Sequence, residues 1–180
     1  MASSYVKHIE NIETPKIALL NIGSEKNKGN KLTSATYPLL AEHFENFIGN
    51  IESRYLLEGK TEVVLCDGFA GNIVLKLTEG LIDNFYQLLI KEKDINSSDK
   101  SNISLKKIFN TYNYEEHGAS PFLGVKGIVL KCHGSCSEVS IKNALLSAEI
   151  FHKKKIIGKI EKELLQKIDL FSDINLIENK

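Results

Sequence analysis

The chain has 180 residues, 42% apolar and 26% charged, the make-up of an ordinary globular protein with room for a sizeable core. Lys+Arg and Asp+Glu are equal at 23 each, so no net field draws in nucleic acid or an acidic surface, and any basic rim has to be local. No apolar run reaches the roughly 18 residues that span a bilayer, the N-terminus has no apolar signal core, and Cys66, Cys132 and Cys136 make an odd set; the expectation is free thiols in a reducing cytoplasm.

In chain order, residues 1–14 read as a polar, partly helical lead-in. Residues 16–22 (KIALLNI) form a continuous apolar run stopped by Gly23, as a strand buried on both faces should. A polar loop, 24–30, follows. Leu32, Ala35, Leu39, Leu40 and Phe44 recur at helical spacing over 32–44, with Pro38 as a bend. A short strand at 46–49 and a short helix at 51–57 lead to Gly59. Residues 62–66 (EVVLC) are the second strong strand, 67–72 a turn, and 72–91 a long helix. Residues 94–104 read as an exposed loop and 105–112 as a short helix, so that 81–112 would make a helical hairpin. A third strand at 127–132 (GIVLKC), a closing helical region at 137–165 and a tail from 166 complete a single domain. Strands alternating with helices predict an α/β fold with a parallel sheet, whose ligands bind beyond the carboxyl ends of the strands. The loops at 23–30, 67–72 and 133–137 lie at those ends.

Three constellations there can carry chemistry. Residues 23–30 (GSEKNKGN) are not a Walker A loop: five residues separate the glycines instead of four, and Asn30 follows Gly29 where Lys and Ser or Thr are required. The loop is either an anion site, with Lys28 beside a helix N-terminus, or a solvated turn. In Asp67-Gly68-Phe69-Ala70-Gly71-Asn72 two glycines allow close backbone approach; the other reading is a plain turn with Asn72 as N-cap. Lys131-Cys132-His133-Gly134-Ser135-Cys136 offers three soft ligands where a structural zinc needs four, so no metal is expected, and His133 also reads as a half-buried strand-end histidine. Arg54, the one arginine, is the one place for a bidentate anion fork, or else a surface ion pair with Glu52 or Glu58.

Several segments resemble, in order, the phosphate acyltransferase family of bacterial phospholipid synthesis, often called PlsX: residues 16–30 (KIALLNIGSEKNKGN), 47–54 (FIGNIESR), 63–76 (VVLCDGFAGNIVLK) with 78–80 (TEG), 118–124, 131–135 (KCHGS) and 142–144 (KNA). The match runs from about residue 5 to residue 150, and the strength of the signal lies in the order and spacing of the pieces. Departures are His117 for a usual Gly, Tyr55 for a common Asp, and Cys132 and Cys136 at usually small positions.

The resemblance implies a three-layer αβα fold like isocitrate and isopropylmalate dehydrogenases, with a parallel-rich sheet, of which this chain is the C-terminal half. It implies attack of inorganic phosphate on an acyl-[acyl-carrier protein] thioester to give acyl phosphate, with no cofactor. Because the nucleophile is a substrate oxygen, no enzyme Ser, Cys or His nucleophile is required. Lys28 and the amides around Gly71 would hold phosphate, the Asn72 amide would stabilise the oxyanion, and His133 and Lys131 would assist either task. Gly29, Asn30, Asp67, Gly68 and Arg54 would line the substrate. The partners implied are acyl-carrier protein, received by a basic rim such as Lys26, Lys31, Arg54, Lys76 and Lys126, a second copy of the chain, and peripheral contact with a membrane surface. The isolated chain is expected to be nearly inactive, since the absent half should complete the cleft. The alternatives are a non-catalytic dimerisation or carrier-protein-binding fragment and, last, a nucleotide-binding domain, which lacks its Gly-x-Gly-x-x-Gly.

Overall fold

The computed structural model describes residues 1–93, 118–134 and 136–166. The expected loop at 94–104, the short helix at 105–112 and with it the second arm of the hairpin, His117, Ser135 and the tail beyond 166 lie outside them. The chain packs as two compact units: Met1–Cys66 with Leu123–Gly127 and the residues from Phe151, and Asp67–Phe122 with Ile128–Ile150.

The first unit holds the parallel sheet. β1 (Ile17–Asn21) is its centre, flanked by β2 (Phe47–Glu52) and β3 (Val63–Leu65), in the order β2-β1-β3. A strand hydrogen-bonded on both edges and covered on both faces needs an unbroken apolar run, and Ile17, Ala18 and Leu19 are at most 3% exposed. Entry to the sheet is pinned by backbone bonds from Ile17 N–H to the Asn46 carbonyl (2.9 Å) and from Val63 N–H to the Lys16 carbonyl (3.0 Å). The β1–β2 register slips between the Ile17–Phe47 and Leu19–Asn50 pairs. Ile48 and Gly49 stand there against Ala18 alone, a bulge, and Gly49 supplies the positive φ of 99° that such a bulge favours.

α2 (Lys31–His43) crosses from β1 to β2 and tolerates Pro38 inside it. Its Tyr37 ring meets Phe47 edge-on at 5.2 Å. The short helix expected at 51–57 is instead the end of β2 followed by a 3-10 turn, Ser53–Glu58, closed by Gly59 at φ 68°. α1 (Ala2–Ile9) adds Val6 to the Ile17–Val63 cluster, with Phe44, Phe47 and Leu65 around it.

The second unit holds α3 (Gly68–Lys93), a two-stranded antiparallel pair of β4 (Ser120–Pro121) and β5 (Leu130–Lys131), and α4 (Glu138–Lys153) as far as Ile150. The third strand expected at 127–132 is therefore shortened, and it pairs antiparallel to β4 rather than joining the parallel sheet. The connection from β4 is too short for a crossover, so the chain can only turn back. α3 begins at Gly68, four residues before the expected start at Asn72. Phe69, Leu75, Leu77, Phe85 and Leu88 on it are all more than half exposed. Among the described residues no helix is long and apolar enough to cross a membrane.

The closing helical region breaks in two. Lys155 takes a left-handed φ of 53°, and α5 (Ile156–Leu165) starts anew, with Ile156 and Ile160 buried in the first unit. The break lets Lys154 Nζ donate to the carbonyls of His8 and Ile9, both at 3.1 Å, at the C-terminus of α1, where a cation is favoured. Nearby, His8 Nε2 lies 2.8 Å from Glu163 Oε1, joining α1 to α5.

Partial burial acts to raise the Glu163 carboxyl, but the Ser4 hydroxyl, the bond and charge of His8 and the charge of Lys7 outweigh it and hold the group below its usual value. A carboxyl depressed in the fold stabilises above its unfolded-state pKa, and that contribution is lost as pH falls through the acid range. With the Glu163 side chain 36% exposed, Glu163→Gln should lower Tm by only about 1–3 °C at neutral pH, and should remove part of the acid destabilisation seen in thermal melts. In the second unit, Gly118 has φ 74°, and a Cβ there would lie 2.6 Å from Ala144 N and 2.7 Å from the Asn143 carbonyl carbon. Gly118→Ala should cost on the order of 1–3 kcal/mol in urea unfolding. Gly80→Ala, in α3 with open space around it, should instead be neutral or stabilise by roughly 0.5–1 kcal/mol.

Candidate functional site

The loop of residues 22–30 leaves the carboxyl end of the central strand, where a parallel sheet places ligands. Its shape comes from two side-chain amides that are not part of it. Asn21, 9% exposed at the end of β1, donates from Nδ2 to the Lys28 carbonyl at 2.9 Å and accepts the Ile22 N–H on Oδ1 at 2.9 Å. Asn50, brought opposite Leu19 by the bulge, donates from Nδ2 to the Glu25 carbonyl at 2.7 Å. Gly29 runs against Asn21 at φ 105°; a Cβ there would lie 2.1 Å from Thr33 Oγ1 and 2.5 Å from Asn21 Oδ1. Only glycine fits that approach.

Lys28 is exposed, and its stem folds over Gly23, where an added Cβ would sit 3.1 Å from Lys28 Cγ. Its ammonium makes no ion pair among the described residues. Asn30 is the N-cap of α2: its Oδ1 accepts the Thr33 N–H at 2.9 Å, and the Thr33 hydroxyl returns to the Asn30 carbonyl at 3.1 Å. This cap is neutral. By helix geometry the N–H groups of Lys31 and Leu32 have no intrahelical acceptor. The loop thus combines a lysine charge with the positive end of a helix.

Arg54 donates from Nε and Nη2 to Glu52 Oε2, at 3.0 and 2.8 Å, and its guanidinium carbon lies 5.5 Å from the Tyr55 ring centre. Part of its fork is taken up within the β2-to-turn corner, although the side chain is 70% exposed.

In the second unit, Asp67 caps α3. Its Oδ1 accepts the N–H groups of Phe69 at 2.9 Å and Ala70 at 2.8 Å. The expected Asn72 cap is thus replaced by Asp67, because a carboxylate satisfies two free N–H groups there and starts the helix a turn sooner. Gly71 N–H donates to the Asp67 carbonyl at 2.9 Å, so it is an intrahelical donor and not a free anion-binding amide as expected. Gly68 opens the helix, and Asn72 is exposed in its second turn.

Lys131 ends β5 and is exposed, as is His133 beyond it. The Cys136 N–H donates to the His133 carbonyl at 3.2 Å, just ahead of Ser137 and the start of α4. Ser137 Oγ accepts the Ser140 N–H at 3.3 Å and lies 3.2 Å from the Ser140 hydroxyl. Among the described residues no three His, Cys, Asp or Glu side chains converge as a metal site.

The structure therefore gathers Lys28, Gly29 and Asn30 in one loop of the first unit, with Arg54 on the turn after β2. It places Asp67, Gly68, Gly71 and Asn72 on the start of α3, and Lys131 and His133 at the end of β5. Sequence reading missed Asn21, Asn50 and Thr33. The available signal was an asparagine closing an otherwise apolar buried run. A separate apolar groove of about 530 Å³ in the first unit, lined by Val125, Ile157, Ile160 and Leu164, contains none of the candidate catalytic residues.

A family model described as "Fatty acid synthesis protein" matches residues 1–159. A phosphate acyltransferase of Clostridium botulinum (strain Alaska E43) is 43% identical over 93% of this chain and 52% of its own. Another, of strain ATCC 19397 of the same species, is 42% identical over 99% of this chain and 52% of its own. One from Clostridium perfringens (strain SM101) is 40% identical over 93% and 51%. The chain spans about half the length of the curated relatives it matches. With the greater part of its length matched and a glycine-asparagine loop at the end of its central strand, the chain belongs to the phosphate acyltransferase family of fatty acid and phospholipid synthesis.

Proposed function

We propose that this chain supplies the phosphate-holding loop, and part of the acyl-transfer machinery, of an enzyme that converts acyl-[acyl-carrier protein] and inorganic phosphate into acyl phosphate for phospholipid synthesis. The observation that carries the proposal is Lys28-Gly29-Asn30 at the carboxyl end of β1, in a member of this family, with a lysine charge that makes no ion pair among the described residues beside a neutrally capped helix. The cap at α3 argues the same division of labour. A helix N-terminus carries about half a positive charge, which the full negative charge of Asp67 more than offsets, so phosphate is favoured at α2 and not at α3.

In the reaction, a phosphate oxygen attacks the thioester carbonyl, the carbon–oxygen bond forms, and the carbon–sulfur bond breaks. The thiolate leaves with the electron pair; its pKa, near 8.5 for a simple thiol, spares it a strong general acid. Lys28, with Gly29 and Asn30, holds phosphate in position. Asn72 offers an exposed amide N–H donor for the tetrahedral oxyanion, with His133 and Lys131 assisting. Asp67, Gly68 and Gly71 shape the acyl side by fixing the start of α3, and Arg54 with Lys26 and Lys31 forms a basic rim for the acidic carrier protein. The dehydrogenase-like three-layer αβα architecture, a second copy of the chain and peripheral membrane contact in the cytoplasm belong to the same reading. The parallel sheet of the first unit and the exposed apolar residues of α3 support it.

Because the chain covers about half of its relatives' length, it should by itself release carrier protein from acyl thioester at a small fraction of a full-length relative's rate. A phosphate-dependent thiol-release assay on both proteins measures this, and equal rates would overturn it. In a full-length context, the Lys28→Ala change should mainly raise KM for phosphate. Asn72→Ala should lower kcat by about 100-fold or more, the loss of one oxyanion donor. Unchanged kinetics for both in folded protein would remove them from the site.

A further inference from the structure

The Asn21 side chain is buried under the 22–30 loop and belongs to none of the constellations that carry the proposed chemistry. We infer that Asn21 is the positioning residue of the phosphate loop, its Nδ2 bond to the Lys28 carbonyl holding Lys28, Gly29 and the α2 N-terminus in the arrangement that receives phosphate. The inference rests on the proposed reading of that loop and adds to it the group that sets its geometry.

Three observations converge on Asn21. It uses both ends of its amide on the loop, with Nδ2 on the Lys28 carbonyl and Oδ1 on the Ile22 N–H, so it ties the loop's exit to its entry. The approach of Gly29 is so close that a Cβ would reach 2.5 Å from Oδ1 and 2.9 Å from Nδ2, so the amide is the surface against which the loop is moulded. And Asn21 is anchored, being 9% exposed and paired with Glu52 at the end of the central strand. Asn50 repeats the device from the neighbouring strand by holding the Glu25 carbonyl. A carbonyl turned inward onto Nδ2 is also one kept away from an incoming anion, which it would repel. Asparagine is the right residue for this position. Aspartate is the same size but offers no donor to the carbonyl, and would place a negative charge beneath the phosphate.

The test uses the 180-residue chain, labelled with ¹⁵N and titrated with inorganic phosphate. In the unaltered chain the amides of Lys28, Gly29 and Lys31 should shift saturably, and without phosphate the loop amides should exchange slowly. Asn21→Asp should weaken phosphate binding about ten-fold or more, the equivalent of one lost hydrogen bond, and speed loop exchange, while core methyl signals and Tm change little. Lys28→Ala should weaken binding without changing loop exchange, a separation that a merely structural role for Asn21 does not predict. Asn50→Ala provides a second variant should Asn21→Asp fail to fold, and should speed exchange around Glu25 to Lys28 with a smaller loss of binding. Slow exchange and unaltered phosphate affinity in Asn21→Asp, or in Asn50→Ala if only that variant folds, would overturn the inference. If the unaltered chain shows no saturable shift at these amides, the phosphate reading of the loop fails, and with it the binding role of Asn21; loop exchange in the variants would still report whether the amide shapes the loop.

Discussion

The burial of β1 between two parallel neighbours is the constraint on which the first unit depends. Ile17, Ala18 and Leu19 leave water in a strand whose backbone pairs with β2 on one side and β3 on the other, since unpaired polar groups would be costly to bury. Parallel pairing forbids tight hairpins, so the chain must return by a crossover, and α2 supplies the one to β2. It also points the β1 and β2 ends the same way. Asn21 and Asn50 arrive there together and reach the same loop. The bulge at Gly49 matters for this reason: side chains on a strand alternate faces, so the extra residue changes which of them stands beside β1.

The two helix starts illustrate how a small choice of cap divides otherwise similar turns. Asn30 and Asp67 both follow or end a strand-to-helix connection, and both accept N–H groups of the first turn. Asparagine leaves the helix dipole uncompensated, and Lys28 adds to it. Aspartate reverses the local sign and uses two of the donors an anion would need. Loops that looked equivalent as glycine-rich turns are therefore electrostatically opposite, and the difference resides in one side-chain atom.

Much of this was legible in the sequence. The apolar run at 16–22, the Leu and Phe spacing of α2 and the EVVLC strand rest on burial, which leaves a periodic trace, and the first unit follows from them. The order of short motifs pointed to the family. What was not legible depended on local hydrogen bonding. Asp67 begins α3 before Asn72 because a carboxylate caps two N–H groups, and nothing in the periodicity reports that. The GIVLKC run has the composition of a buried strand, yet β5 pairs with the nearby Ser120–Pro121 and not with the sheet, since partner choice depends on connection length and turn glycines and not on composition. Asn21 and Asn50 were invisible for a related reason: a single polar residue at a strand end acquires meaning only when the loop it supports is in place.

The two units differ in how they close. The first encloses its own apolar residues: Val6, Ile17, Val63, Phe151, Ile156 and Ile160 are all buried. In the second, Phe69, Leu75, Leu77, Phe85 and Leu88 of α3 are exposed among the described residues. Each such side chain forgoes up to about 1.5–3 kcal/mol while it faces water. The same helix carries Asn72, proposed here to meet the oxyanion. A donor is useful in that role only when fixed and shielded from water, since its electrostatic effect falls steeply in high dielectric. Cover over the apolar side of α3 alone would not provide this, because Asn72 shares a different face with Lys76, Glu79 and Asp83 at helical spacing. Shielding Asn72 and covering the apolar side of α3 are therefore two separate physical requirements, whereas the 22–30 loop of the first unit rests on a core whose central strand is already buried.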